Sequence, residues 1–291
     1  LVEDRFPEIL LNDLDAAVAD LTSCAEVGVG AVVDAMPCGV GRDPVRLAAA
    51  SRRSSVHVIA TTGLHTRKWY PGLSWANEAD PDDLAALFIA DIEEGIDRYD
   101  YRGPVIERSA HRAGVIKVGT LQPAFNDRDR RVFAAAAQAH QRTGAPILTH
   151  CEHGVGGLEQ VVALADLGVD PANVVLSHTD GVADVGYHLE LVASGVNLEY
   201  DQALRHPIDE NSTTVRLMTA LVEAGYTDQL MLGTDGARRS LLTSYGGSPG
   251  LAALAVDVVA VLGRCGVGDD AITQVLRTNP ARFLSFSEVA P

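Results

Sequence analysis

The sequence predicts an α/β fold, a (β/α)8 TIM barrel in a single domain over residues 1–291, and three observations lead there. Apolar strands and amphipathic helices alternate along the whole chain, with no low-complexity tract or linker between them. Four strands end in, or contain, Lys117, His150, His178 and Asp235, at steps of 33, 28 and 57 residues. A βα unit of such a barrel takes about 30 residues and presents its chemistry at the C-terminal strand ends, so the four side chains converge on one mouth. Only seven strands are visible, and a seven-stranded parallel sheet left open exposes two unpaired edges. Strand 1 is therefore expected to be missing from the N-terminus, before Leu1.

Each element follows from local chemistry. A helix opens near residue 12, with Asn12 or Asp13 as its N-cap, and stops at Gly28 and Gly30. Residues 30–36 form the first visible strand and 56–63 the second, with His57 read as a core histidine. A polar loop from His65 to Asp80 leads into a helix that has Pro81 in its first turn and Asp82 and Asp83 at the positive end of its dipole. The strand at 113–120 carries Lys117, and an Ala-rich helix over 127–143 stops at Gly144. The His150 strand follows, then a helix with Leu158, Val161, Val162 and Ala165 on one face, then the His178 strand. Residues 195–201 form a strand ending in Asp201; a polar loop and the 215–224 helix precede the Asp235 strand. The Gly- and Ser-rich loop 236–250 is too long for a plain connection, which marks it as functional. Helices over 251–263 and 269–286 close the chain.

Composition narrows the role. Hydrophobic residues make up 47% and aromatic residues 5%, so Ala, Val, Leu and Ile must fill the core. A net charge of −16 argues against nucleic acid or an anionic membrane as partner and is compatible with a small molecule. No apolar run has membrane-spanning length and no signal peptide is visible. Cys24, Cys38, Cys151 and Cys265 form no CxxC pair, as expected of a reduced, cytoplasmic protein. Cys38 and Cys151 are read as small buried hydrophobes.

Lys117 is the least comfortable residue in the chain. It is one of only two lysines and sits in the apolar strand Ala113-Gly-Val-Ile-Lys-Val-Gly-Thr120. A buried ammonium is costly unless it is paired, neutralised or modified. A lone strand lysine usually packs its stem and sends its head to a carboxylate or water; here two histidines and an aspartate accompany it at matching strand ends.

Val-Ile-Lys-Val at Lys117, Leu-Thr-His at His150, Leu-Ser-His at His178 and Gly-Thr-Asp at Asp235, with the closing Thr278-Asn-Pro-Ala-Arg-Phe-Leu284, resemble the phosphotriesterase family of the amidohydrolase superfamily. The resemblance implies two divalent metal ions, best met by Zn2+, bridged by N6-carboxylysine at Lys117. It places His150 and His178 on the second metal, and makes Asp235 both a ligand and the catalytic residue that takes the proton of a metal-bound hydroxide. The His-x-His that opens the family pattern has no counterpart at the start of this chain; Cys151-Glu-His153 matches its spacing only and belongs to another strand.

The implied reaction is hydrolysis of a phosphotriester, a lactone or an amide. The basic loops favour an anionic lactone, such as a phosphorylated sugar lactone, with Lys68, Tyr70, Arg238 and Arg239 as substrate-binding residues. The organophosphate and amide hydrolases are the alternatives inside the family. Outside it stand a Schiff-base lyase using Lys117 as a free amine and a metal-deficient binding protein. A homodimer is the assembly kept open.

Overall fold

The computed structural model describes residues 6–73, 75–121 and 125–288. Its frame is a curled sheet of seven parallel strands in sequential order: β1 (Ala31–Asp34), β2 (His57–Gly63), β3 (Ala113–Thr120), β4 (Ile147–Cys151), β5 (Val174–Ser177), β6 (Asn197–Tyr200) and β7 (Leu230–Leu232). Helices α1 (Leu14–Glu26), α2 (Pro44–Ser54), α3 (Pro81–Glu93), α4 (Asp127–Thr143), α5 (Gly157–Asp166), α6 (Val185–Ala193) and α7 (Thr213–Glu223) alternate with them. After β7 come α8 (Val259–Arg264), α9 (Asp269–Thr273) and α10 (Asn279–Phe283). Among the described residues β1 pairs only with β2 and β7 only with β6, so both retain a free edge.

Side-chain alternation divides the sheet into two faces. Ile116, Val118, Ile147, Leu176, Leu198 and Leu230 point to the helix layer and join the large outer core with Phe88, Phe133 and Leu164. Val115, Leu148, Val175 and Met231 point inward, where Phe283 of α10 packs against them as a plug. Lys117 lies two residues beyond Val115 on that inward face, which is why an otherwise apolar strand delivers a charge to the interior.

Helix starts follow their caps. Asp13 accepts from the backbone N–H groups of Asp15 and Ala16, and Asp43 does the same for Val45 and Arg46. Asn126 and Asp129 form a capping box on α4, and Gly144 ends it in the left-handed region. Several elements differ from expectation. β7 is only three residues long, so Asp235 lies beyond the strand in a turn with φ +38°. His57, expected in the core, is exposed because it begins β2 at the end away from the mouth. Between α3 and β3 the chain makes an excursion, closed by an antiparallel bridge between Asp97 and Arg108, that no apolar periodicity announced. Its Asp97 carboxylate accepts from the backbone of Tyr101 and Glu107 instead. Cys38 and Cys151 are fully buried, as their reading required.

Two contacts place the loops around the mouth. Asp20 of α1 accepts hydrogen bonds from the hydroxyls of Thr243 and Ser244 and from the Ser244 backbone, fastening the loop after β7 to the first helix. Gly63 ends β2 against β3 with φ +97°, and a Cβ there would lie 2.1 Å from the Lys117 carbonyl oxygen. Only glycine fits both the conformation and the approach.

Gly63→Ala should therefore cost on the order of 3 kcal/mol, read as a large drop in melting temperature or loss of soluble protein. Gly30→Ala, where an added Cβ meets nothing within 4 Å, is the control and should change the melting temperature little.

Candidate active site

The structure brings Lys117, His150, His178 and Asp235 to one mouth. The rings of His150 and His178 stand edge to face with centroids 4.6 Å apart, and His178 Nδ1 lies 4.0 Å from Asp235 Oδ2. Lys117 is 3% exposed, and its Nζ donates to Ser177 Oγ at 3.2 Å, one residue before His178. The register that sets Lys117 beside Leu148 and His150 beside Ser177 carries the three side chains round the curl of the sheet.

The neighbours matter as much. Glu199 of β6 precedes Asp201, the residue just past the strand, by two positions and so faces the same interior. Gly233 leaves it room, since a Cβ there would sit 2.1 Å from Glu199 Oε1. His178 Nδ1 and its backbone N–H are both held by Asp201, at 2.9 and 3.1 Å. Asp180, 2% exposed, accepts from the backbone of Asp201 and Gln202 and from the Thr214 hydroxyl, fixing the turn that carries them. His150 Nε2 is 2.6 Å from Glu152 Oε2, whose other oxygen takes Lys68 Nζ at 2.7 Å. Arg205 contacts the Asp235 carboxylate and donates to its carbonyl at 2.9 Å.

Burial sets the protonation states. It pushes the Lys117 amine below its ordinary value, against the pull of Glu199, Asp201 and Asp235. Burial lowers His150 to about 4, although the hydrogen bond to Glu152 opposes it, and lowers His178 as well. Glu199 and Asp201 are each pushed up to about 7, first by burial and then by neighbouring carboxylates. Glu152 is held down at about 2, chiefly by the hydrogen bond from His150.

Both histidines are thus neutral near pH 7, and each donates its one proton to a carboxylate. The second nitrogen, Nδ1 of His150 and Nε2 of His178, keeps its lone pair and has no protein partner among the described residues. Carboxylate–imidazole pairs with one free nitrogen are the usual support of metal-binding histidines. His178, Asp201 and Asp235 also place ligand atoms within 4.8 Å of one another. An amine whose pKa burial lowers, two free imidazole nitrogens and carboxylate oxygens fit a divalent metal of the zinc type.

The expected substrate contacts separate into two kinds. Arg238 is exposed with no ion-pair partner among the described residues, and Lys68 is half-exposed in its pair with Glu152. Arg239 is turned back, donating to the Leu10 carbonyl and lying over the Tyr245 ring. Tyr70, expected at the substrate, is buried; its hydroxyl donates to the Cys38 carbonyl and receives the His65 N–H. Sequence reasoning passed over Glu199, Glu152, Arg205 and His65. Period-two spacing from Asp201 was the available signal for Glu199; the other three lie on loops and gave none.

Glu152→Ala should lower metal affinity roughly 10- to 100-fold while leaving the melting temperature of the metal-free protein nearly unchanged. Competition with a coloured chelator measures it, and an unaltered affinity would show that Glu152 does not support His150.

A family model described as the phosphotriesterase family matches residues 6–284. A phospho-furanose lactonase from Mycoplasmopsis synoviae is 31% identical over 99% of this chain and 84% of its own length. Among solved structures, an amidohydrolase from Mycoplasma synoviae superposes with a TM-score of 0.91 at 29% identity, covering 99% of this chain and 84% of that one. The phosphotriesterase homology protein of Escherichia coli, complexed with phosphate in its active site, superposes with a TM-score of 0.85 at 26% identity, over 96% and 92%. A match that takes in all seven strands and every residue of the mouth makes this chain a member of the phosphotriesterase family.

Proposed function

We propose that this hydrolase is a divalent-metal-dependent lactonase acting on an anionic lactone, a phosphorylated sugar lactone being the best fit. The observation that carries the reading is the meeting of a neutral-tending buried lysine with two imidazoles, each holding one nitrogen free, beside Asp235. Relatives support the chemistry: the Mycoplasmopsis protein is named a phospho-furanose lactonase, and the Escherichia coli protein holds phosphate at its site.

In this reading Lys117, His150, His178 and Asp235 are the residues that would hold two zinc-type ions. Burial lowers the Lys117 pKa and so favours the free amine, the form that can add carbon dioxide, release a proton and become a carbamate with two oxygens and one negative charge. The bound ions supply Lewis acidity, polarising the lactone carbonyl and acidifying water. Asp235 takes the proton of the attacking water on its carboxylate and returns it to the ring oxygen as the C–O bond breaks. Gln202 Nε2, 3.3 Å from Asp235 Oδ2, and Arg205 hold that carboxylate in place. Arg238 and Lys68 bind the anionic substituent at the rim, unusual cations in a protein of net charge −16. A neutral phosphotriester has no use for them, which ranks organophosphates below lactones.

The free edges of β1 and β7 support an eighth strand seated between them, completing the barrel. The four free cysteines support a reducing compartment such as the cytoplasm.

Lys117→Ala should lose bound metal and all lactone hydrolysis, with partial rescue by short carboxylic acids supplied with metal; unchanged metal content would sink the reading. Arg238→Ala should raise KM about tenfold for a phosphorylated five-membered sugar lactone and by less than about twofold for the unphosphorylated one. Equal effects on the two substrates would remove the anion from the proposal.

A further inference from the structure

His65 follows β2 and is neither an expected ligand nor an expected substrate contact, yet it is among the most constrained residues of the mouth. Its backbone N–H donates to the Tyr70 hydroxyl at 2.7 Å, and its carbonyl accepts from Arg128 Nη2 at 2.9 Å. Tyr70 is itself tied to the Cys38 carbonyl at 3.0 Å, and the Arg128 guanidinium lies over the Tyr70 ring at 5.2 Å. The imidazole packs between Trp69 and His150, with ring centroids at 5.7 and 4.7 Å. Both main-chain groups and both ring neighbours are therefore occupied.

One hydrogen bond settles which nitrogen carries the proton. The backbone N–H of Thr66 donates to His65 Nδ1 at 2.7 Å. A nitrogen that accepts an N–H bond bears no hydrogen, so in the neutral ring the proton is on Nε2. Nε2 is on the far side of the ring from the loop that carries it, and it has no hydrogen-bond partner among the described residues. Although it packs on His150, His65 cannot offer a lone pair to a metal there without giving up either the Nε2 proton or the Thr66 bond.

We infer that His65 is a substrate-binding residue, not a third imidazole ligand, and that its Nε2–H donates to an oxygen of the bound lactone. The inference rests on the lactonase reading and adds a selectivity device to it. A substrate without an acceptor at that point leaves a half-buried donor unmatched and is rejected.

Two substitutions separate the nitrogens. His65→Asn keeps an oxygen near the Nδ1 position to accept from Thr66 and has no atom at Nε2. His65→Gln carries an N–H donor out to the Nε2 position. Both should keep the wild-type metal content by elemental analysis and melt within a few degrees of wild type. KM for the phosphorylated sugar lactone should rise roughly tenfold in His65→Asn, with kcat changed much less, and recover to within about threefold in His65→Gln. A wild-type KM in His65→Asn overturns the inference. So does loss of metal in His65→Asn, which would make His65 a ligand. Absence of any lactone hydrolysis by the wild-type protein would overturn the parent reading, and this one with it.

Discussion

A lysine amine held away from water beside three carboxylates is the constraint from which the mouth is built. Lys117, Glu199, Asp201 and Asp235 act on one another across the sheet interior, and burial opposes the charged form of each of the first three. The apolar plug beneath, from Val115 to Phe283, supplies no dipoles to soften that cost. Even a charged Lys117 cannot balance three carboxylates, and among the described residues the further cation in contact with them is Arg205, from the loop after β6. Divalent cations are the chemically natural complement of such a cluster, and the free imidazole nitrogens beside it have the donor character to share them.

Rigidity is supplied from the outer side of the sheet. Arg42, fully buried, joins the Asp91 carboxylate at 2.9 Å, the Thr61 carbonyl at 2.6 Å and the Asp100 carboxylate at 3.2 Å. Asp100 also accepts from the backbone of Gly39 and Gly41. This network fixes the loop after β1, and that loop offers the Cys38 carbonyl to Tyr70. Asp180 plays the equivalent part below β6 and α7, and burial pushes it up to about 6. Removing either partner of such a buried ion pair leaves a stranded charge, which is far more damaging than replacing the pair as a whole.

Strand alternation and the barrel repeat made the frame and the inward-facing Lys117 legible in the sequence, because period-two burial is written in the residues themselves. His150 and His178 were legible by position at strand ends. What escaped was tertiary. Nothing in Leu64-His65-Thr66 reveals that a backbone amide will lock the imidazole, and nothing local separates the buried Tyr70 from the exposed Arg67 three residues earlier. Glu152 read as part of a spacing coincidence, Cys151-Glu-His153, when its role comes from contact with His150 and Lys68. Loops take their conformation from what they dock against, and that information lies elsewhere in the chain.

The fastening of Asp20 to Thr243 and Ser244 joins residues 223 and 224 positions apart. During synthesis from the N-terminus, α1 emerges long before the loop that covers it, and its buried carboxylate waits in water until nearly the whole chain is made. Contacts of such separation form late and slow the search for the native state. The rim of the mouth is thus among the last parts to be ordered, so an incomplete chain has neither a finished pocket nor a reactive one. Once formed, the same join ties α1 and the loop after β7 into one cooperative unit, and neither can open without loosening the other.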